Sequence, residues 1–313
     1  MNLTTLAQQL RQTQDETRRR ALALDLLGRS RRREHVDAAL RALEGCDLDD
    51  RARPLLRERT LYYFEKTQRD NGALIREQLL LLLLRIGHPG ERDLWLQALQ
   101  CYEFEPGGEV TQNLRAIGLA GLAAHDPDQA RLHAVRLLHE LHSSSRFDCE
   151  PALTALNLLT QQEQPQLVYG WLLASAAEAL DLTLDELGGR ALESLVNDFP
   201  ADLYRPLVEQ FARRDRALVS MGLATHIIES RAESLYDDLE AMLTTTRHDE
   251  LHHYILVLLA GARDDELERR LLALARLGPP HRCRNFLAAL ELLPGEPDEE
   301  LLAWLRQRQL QDV

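Results

Sequence analysis

Two histidines stand one helical turn apart in His248-Asp249-Glu250-Leu251-His252. In an H-E-x-x-H helix that spacing holds a zinc ion, and the residue after the first histidine is the general base. Here that residue is Asp249, one methylene shorter than glutamate, and no third ligand accompanies the pair. Thr244, Thr245 and Thr246 point to a helix start nearby, so Asp249 and Glu250 become first-turn carboxylates facing the helix dipole. No metal is therefore expected at His248 and His252. His139 and His142, three residues apart, read as a solvated edge. The chain contains no G-x-G-x-x-G, G-x-x-x-x-G-K or G-x-S-x-G motif, which leaves dinucleotide, P-loop and nucleophile-elbow chemistry without a basis. Gly107-Gly108 and Gly188-Gly189 read as turns between helices. Neither a catalytic residue nor a cofactor is expected.

Charge offers more than chemistry. The formal net charge is −13, and 36 of the 37 basic residues are arginine, a bias that suits a GC-rich genome. Residues 1–92 hold 18 basic and 14 acidic residues, whereas residues 151–313 hold 15 and 27. An acidic body repels phosphate backbones, so general nucleic-acid binding is not expected. Against that trend, Arg11, Arg18, Arg19, Arg20, Arg29, Arg31, Arg32 and Arg33 face only Asp15, Glu16 and Asp25. Two readings stay open for this cluster: a docking patch for an acidic partner, nucleic acid included, or the solvated face of an end-capping repeat. No aromatic residue is interleaved, which argues against base stacking. The opposite sign dominates residues 151–246, with 15 acidic residues against 6 arginines. Glu186, Glu193 and Glu229 lie there, as do Asp185 and Asp215, and a basic protein partner is expected for them. Head-to-tail self-association of the two oppositely charged ends is the competing reading, and solvation of outer helix faces is the plain one.

Cys46, Cys101, Cys149 and Cys283 stand alone, with no C-x-x-C pair, as buried thiols would in a reducing compartment. No basic segment followed by an apolar stretch opens the chain, so a cytoplasmic protein without a signal peptide is expected. The longest leucine run, Leu79 to Leu84, is too short to span a bilayer and reads as a buried helix.

Which elements position these residues follows from composition. The chain holds 67 Leu and 35 Ala against 9 Val and 6 Ile. The first two are strong helix formers and the last two carry strands, so the fold is all-α. Apolar residues recur at helical steps in Leu3-Leu6-Leu10, Ala21-Leu24-Leu27, Val36-Leu40-Leu43, Val135-Leu138-Leu141 and Leu267-Leu271-Leu274. About eighteen such segments follow one another, joined by short polar turns. Proline sets the spacing. Pro54, Pro89, Pro127, Pro165 and Pro200 are separated by 35, 38, 38 and 35 residues. Proline suits the first turn of a helix, so regular prolines mark regular helix starts. Two steps without proline fall at Ser230-Arg231 and Arg263-Asp264, which look like turns. Pro106, Pro151, Pro206, Pro279, Pro280 and Pro294 also fall at expected junctions or first turns.

Two helices fit between successive markers, the pattern of an α-solenoid. Asp128-Gln129-Ala130-Arg131-Leu132-His133-Ala134, with Leu114-Arg115-Ala116-Ile117-Gly118-Leu119-Ala120-Gly121-Leu122 before it, resembles HEAT repeats. The resemblance covers residues 72–162 and is topological elsewhere. The period is shorter than the usual HEAT length and nearer to that of tetratricopeptide repeats, whose pattern only Trp95 and Tyr102 meet. The resemblance implies a right-handed α-α superhelix of about nine antiparallel helix pairs. Residues 1–313 would form one continuous solenoid, with residues 1–50 as capping repeats and 297–313 as a capping helix. Its concave face would be lined by second helices at 72–87, 110–124, 150–162, 183–197, 215–230, 249–262 and 280–293.

Such a face implies a non-enzymatic scaffold for a protein or peptide, monomeric or weakly self-associating in a salt-sensitive way. HEAT-like alkylpurine DNA glycosylases supply the enzyme alternative, a nucleic-acid reading that would use the arginine cluster. They work with tryptophan and an acidic residue in a basic groove, but Trp95, Trp171 and Trp304 are scattered over seven repeats. HEAT-like deoxyhypusine hydroxylases bind a di-iron centre through several His-Glu pairs, and this chain has only His139-Glu140. Peptide-gripping armadillo repeats carry an asparagine ladder, for which Asn113, Asn157 and Asn285 are out of register.

Overall fold

Capping and proline chemistry decide where the helices begin. The computed structural model describes residues 2–87, 89–140, 144–145, 147–177, 183–195, 199–211, 216–294 and 298–311. Asp15 accepts the Arg18 N–H at 2.7 Å, Asp126 that of Gln129 at 3.1 Å, and Asp264 those of Glu266 and Leu267. Each carboxylate satisfies donors that a helix start leaves without partners. Pro54, Pro127 and Pro165 occupy first turns as the proline spacing predicts. The two steps without proline fall on left-handed turns at Arg231 and Arg263, with φ of 51° and 50°. Pro206 departs from expectation. It lies inside a helix, at the sixth position, just beyond the turn whose N–H groups are free in any case.

The chain divides into two compact units, Met1–Leu158 and Leu159–Val313. The first holds α1 (Leu3–Gln12), α2 (Glu16–Arg29), α3 (Arg33–Glu44), α4 (Arg53–Glu65), α5 (Leu74–Ile86), α6 (Arg92–Leu99), α7 (Gln112–Ala123) and α8 (Pro127–His139). Helix α9 (Ala152–Gln161) crosses the boundary. The second unit holds α10 (Pro165–Ala177), α11 (Thr183–Ser194), α12 (Ala201–Phe211), α13 (Ala217–Glu229), α14 (Tyr236–Thr245), α15 (Asp249–Gly261), α16 (Asp265–Leu277), α17 (Cys283–Leu290) and α18 (Glu299–Gln311). The fold is all-α. The strand pairing among the described residues is one hairpin, β1 (Phe104–Glu105) with β2 (Gly108–Glu109), closed by Pro106-Gly107. No helix of the described residues is long and apolar enough to cross a membrane.

Alternate helices stack within each unit. In the first, α3 touches α5 and α5 touches α7, while α2, α4 and α6 each pack on the helix that follows. In the second, α11, α13, α15 and α17 form the same succession. The seven second helices expected from the sequence are α5, α7, α9, α11, α13, α15 and α17. Leu79, Leu80, Leu82 and Leu83 are buried, but Leu81 is 45% exposed, because packing on two sides still leaves one stripe of α5 open.

Two features make the stacking tight. Gly188 and Gly189 do not form a turn; they lie in the interior of α11. A Cβ on Gly189 would sit 2.5 Å from the Leu218 carbonyl oxygen, and one on Gly222 would collide with the Gly189 backbone. The glycines are needed for close approach of α11 and α13. In the first unit, buried arginines tie successive loops together. Arg76 is fully buried and binds Asp70 at 2.8 Å and Glu103 through two bonds of 2.6 Å. Arg115, also fully buried, binds Glu109 at 2.7 Å, approaches Glu140 at 3.6 Å and lies over the Tyr102 ring.

Replacing Gly222 by Ala is expected to destabilise the protein by about 1–3 kcal/mol through overpacking, measured by urea unfolding. Arg115→Met strands Glu109, whose side chain is 2% exposed, and is expected to cost about 3–5 kcal/mol. Adding Glu109→Leu should recover much of that loss. A double variant as unstable as the single one would show that the buried charge is not the cause.

Candidate functional site

Helix α11 carries Glu186, Gly189, Arg190 and Glu193 at steps of three and four, which puts them on one face. Because the glycines bring α13 close, that face continues into Leu218 and Met221, and then into Tyr254 on α15. Together these residues line an open groove of about 600 Å³, within the range of sites that hold ligand side chains. Leu218 is 45% exposed. Thr225 donates to the Met221 carbonyl at 3.0 Å, so the 2.8 Å contact between Thr225 and Tyr254 has the tyrosine hydroxyl as donor. That bond fixes the Tyr254 ring at the wall.

The groove is acidic but not uniformly so. Arg190 donates to Glu186 through Nε at 3.2 Å and Nη2 at 2.9 Å. Partial burial pushes the Glu193 carboxyl up; Arg190 opposes this shift and Glu229 adds to it. Asp185, in the first turn of α11, is buried, and burial raises its carboxyl against the pull of Arg216, the Val219 N–H and His248. Of the expected acidic residues, Glu186 and Glu193 line this groove, and Glu229 is exposed at the last position of α13. Asp215 lies outside the described residues. Arg190, Leu218, Met221 and Tyr254 were not anticipated. Their helical register was visible in the sequence, but the closeness of α11 and α13 was hidden while Gly188-Gly189 read as a turn.

The arginines of the N-terminal segment do not converge. Arg18, Arg19 and Arg20 lie near the start of α2, Arg31 and Arg32 precede α3, and Arg33 opens it. Arg20 donates to the Asp47 carbonyl at 2.7 Å, Arg31 lies over the Tyr62 ring at 4.6 Å, and Arg33 pairs with Asp37 at 3.8 Å. The open groove beside them, about 410 Å³ between α1 and α3, mixes Arg11 and Arg41 with Glu34 and Asp37.

The two histidines of the H-x-x-x-H spacing have different surroundings. His248 is exposed at the cap of α15. His252 is buried, its Nδ1 lies 3.3 Å from Asn285 Nδ2, and its ring packs edge-on against Phe286. Asp249 accepts from Arg282 at 2.5 Å and from Asn285 at 2.9 Å, which ties α15 to α17. No group of three His, Cys, Asp or Glu among the described residues is placed to hold a metal. His139 is exposed, and His142 lies outside the described residues. Trp95 and Trp171 are core residues, whereas Trp304 is 37% exposed under Arg308. Burial pushes the Cys101 thiol up to about 12, and the other three cysteines are buried.

No family model matches the chain, and no curated protein or solved structure matches it either.

Beneath the groove, His226 of α13 is fully buried and stacks on Tyr204 at 3.6 Å. Tyr204 donates to the Leu192 carbonyl at 2.9 Å. That carbonyl opposes the downward shift of His226, but neither ring nitrogen meets hydrogen-bond geometry. Burial lowers both His226 and His252 to about 4, Arg282 adding to the effect at His252. Below about pH 6.5 the unfolded chain takes up protons that these folded histidines refuse. Stability is thus full above pH 6.5 and falls towards pH 4, by on the order of 3 kcal/mol per histidine. Thermal unfolding at pH 7 and pH 4.5 should show the loss, and His226→Leu should reduce it. An unchanged pH dependence in that variant would contradict the assignment.

Proposed function

We propose that the chain is a non-enzymatic scaffold built of HEAT-like helix pairs, which binds a segment of a protein or a peptide in the groove across α11, α13 and α15. One observation carries this reading. Three successive helices of the same stack contribute Leu218, Met221 and Tyr254 beside Glu186, Arg190 and Glu193 in one open groove. An apolar floor with polar groups at its edge gives affinity and register to a bound segment without any reactive group. The acidic balance of residues 151–313 favours a protein over a phosphate-bearing partner.

Selection of displayed random peptides on the full chain tests the proposal. Binders are expected, and the Leu218→Lys/Met221→Lys double variant should weaken them about tenfold or more, as loss of a central apolar anchor does. Binders indifferent to that variant, or no binders, would remove the groove as the site. Sedimentation should give a monomer at both about 0.05 M and about 0.5 M salt, since Coulombic self-association dissolves as salt rises. An oligomer confined to low salt would favour head-to-tail association instead.

A further inference from the structure

We infer that Arg59, Arg31 and Arg69 form a seat for a phosphate dianion, the group carried by inorganic phosphate and by small phosphate monoesters. The site belongs to the first unit and stands whether or not the groove of the second unit binds a segment.

Four arginines are buried among the described residues: Arg59, Arg76, Arg115 and Arg282. Three of them face carboxylates, Arg76 with Asp70 and Glu103, Arg115 with Glu109, and Arg282 with Asp249. Arg59 has no such partner. It is 4% exposed, its Nη2 donates to the Gly28 carbonyl in the last turn of α2, and its Nε is buried with no acceptor. A carbonyl dipole satisfies a hydrogen bond but does not neutralise a full charge, so this cation is buried without a counter-ion. Asp70 and Asp37, the carboxylates whose charge reaches the adjoining Tyr63, are engaged with Arg76 and Arg33. Gly28 itself is exposed, so the guanidinium ends at the surface.

Two further arginines gather on the same side of α4. Tyr62 and Tyr63 lie three and four residues after Arg59, hence on its face of the helix. Arg31, three residues beyond Gly28, lies over the Tyr62 ring at 4.6 Å from its centroid. Arg69 lies 5.9 Å from the same centroid and donates to the Tyr62 hydroxyl at 2.6 Å. Both arginines are exposed, and neither pairs with a carboxylate among the described residues. The Gly28 bond and the Tyr62 ring therefore hold the α2–α3 loop, α4 and the segment after α4 around one patch with three cations. A carboxylate or a phosphodiester carries one negative charge and balances one of the three. A phosphate monoester is close to a dianion at pH 7, and its three oxygens suit the forked donors of guanidinium groups. The ring also gives the two exposed arginines a platform, so less side-chain freedom is lost when the anion binds.

Titration calorimetry of the full chain with methyl phosphate tests the site. One saturable site is expected, weakened about tenfold or more in Arg59→Met and in Arg31→Gln/Arg69→Gln, as loss of charge-assisted hydrogen bonds does. Inorganic phosphate should compete for it. Dimethyl phosphate, the singly charged counterpart of a nucleic-acid backbone, should bind about tenfold more weakly or not at all. Affinity should rise between about pH 5.5 and about pH 7.5, because the ester loses its second proton near pH 6 while the arginines stay charged. The cation that Arg59→Met removes is uncompensated, so the variant is expected to keep the unfolding midpoint in phosphate-free buffer. Should it fold poorly, Arg31→Gln/Arg69→Gln decides alone, since it changes exposed side chains only. Absence of saturable binding, equal binding of dimethyl phosphate, or an affinity unchanged in either folded variant would overturn the inference.

Discussion

The second unit depends on how closely α11 can approach α13. Gly189 and Gly222 meet backbone to backbone, and neither position has room for a Cβ. That contact fixes the floor of the groove, because it places Leu218 and Met221 beside the Glu186–Glu193 face. It also seals the layer underneath, where His226 stacks on Tyr204 and Tyr204 holds the Leu192 carbonyl. A groove of this kind is a consequence of packing. The apolar residues lining it are those left over once the helices have buried the rest of their surfaces.

The first unit solves the same stacking problem with charge. Arg76 and Arg115 are buried without exposure, a state that is tolerable only when carboxylates and carbonyls surround each guanidinium. Asp70, Glu103, Glu109 and Glu140 provide that environment from the loops preceding or following α5, α7 and α8. Asp70 accepts the Ile75 and Arg76 N–H groups as well, so one carboxylate caps α5 and pairs its arginine. The hairpin between α6 and α7 exists in this setting. Its Glu105 accepts the Gly72 N–H and its Glu109 pairs with Arg115, so the turn links the starts of α5 and α7, which pack on each other.

Much of this was legible in the sequence. The excess of leucine and alanine gave the fold class, and the proline spacing located helix starts that the structure places within a few residues. Even the two missing prolines proved informative, since Arg231 and Arg263 occupy left-handed turns at those steps. What stayed hidden depends on distance between helices. Gly188-Gly189 looks like a turn along the chain and is a contact surface in space. Asp249 looks like a first-turn carboxylate and also serves as the acceptor for Arg282 and Asn285 from α17. The acidity around Glu186 and Glu193 is legible from charge alone, but the pairing of Arg190 with Glu186 needs side-chain geometry.

The central claim is that a peptide segment occupies the groove, and the methionines offer a direct view of it. The chain holds Met1, Met221 and Met242. Met221 lines the groove, whereas Met242 is buried in the core at 5% exposure. In a spectrum of carbon-13-labelled methionine methyls, titration with a selected peptide should shift Met221 and leave Met242 in place. The same peptide with its apolar anchor replaced by aspartate should leave both unmoved. Binding of the selected peptide without a Met221 shift, or an equal shift with the aspartate peptide, would contradict the account.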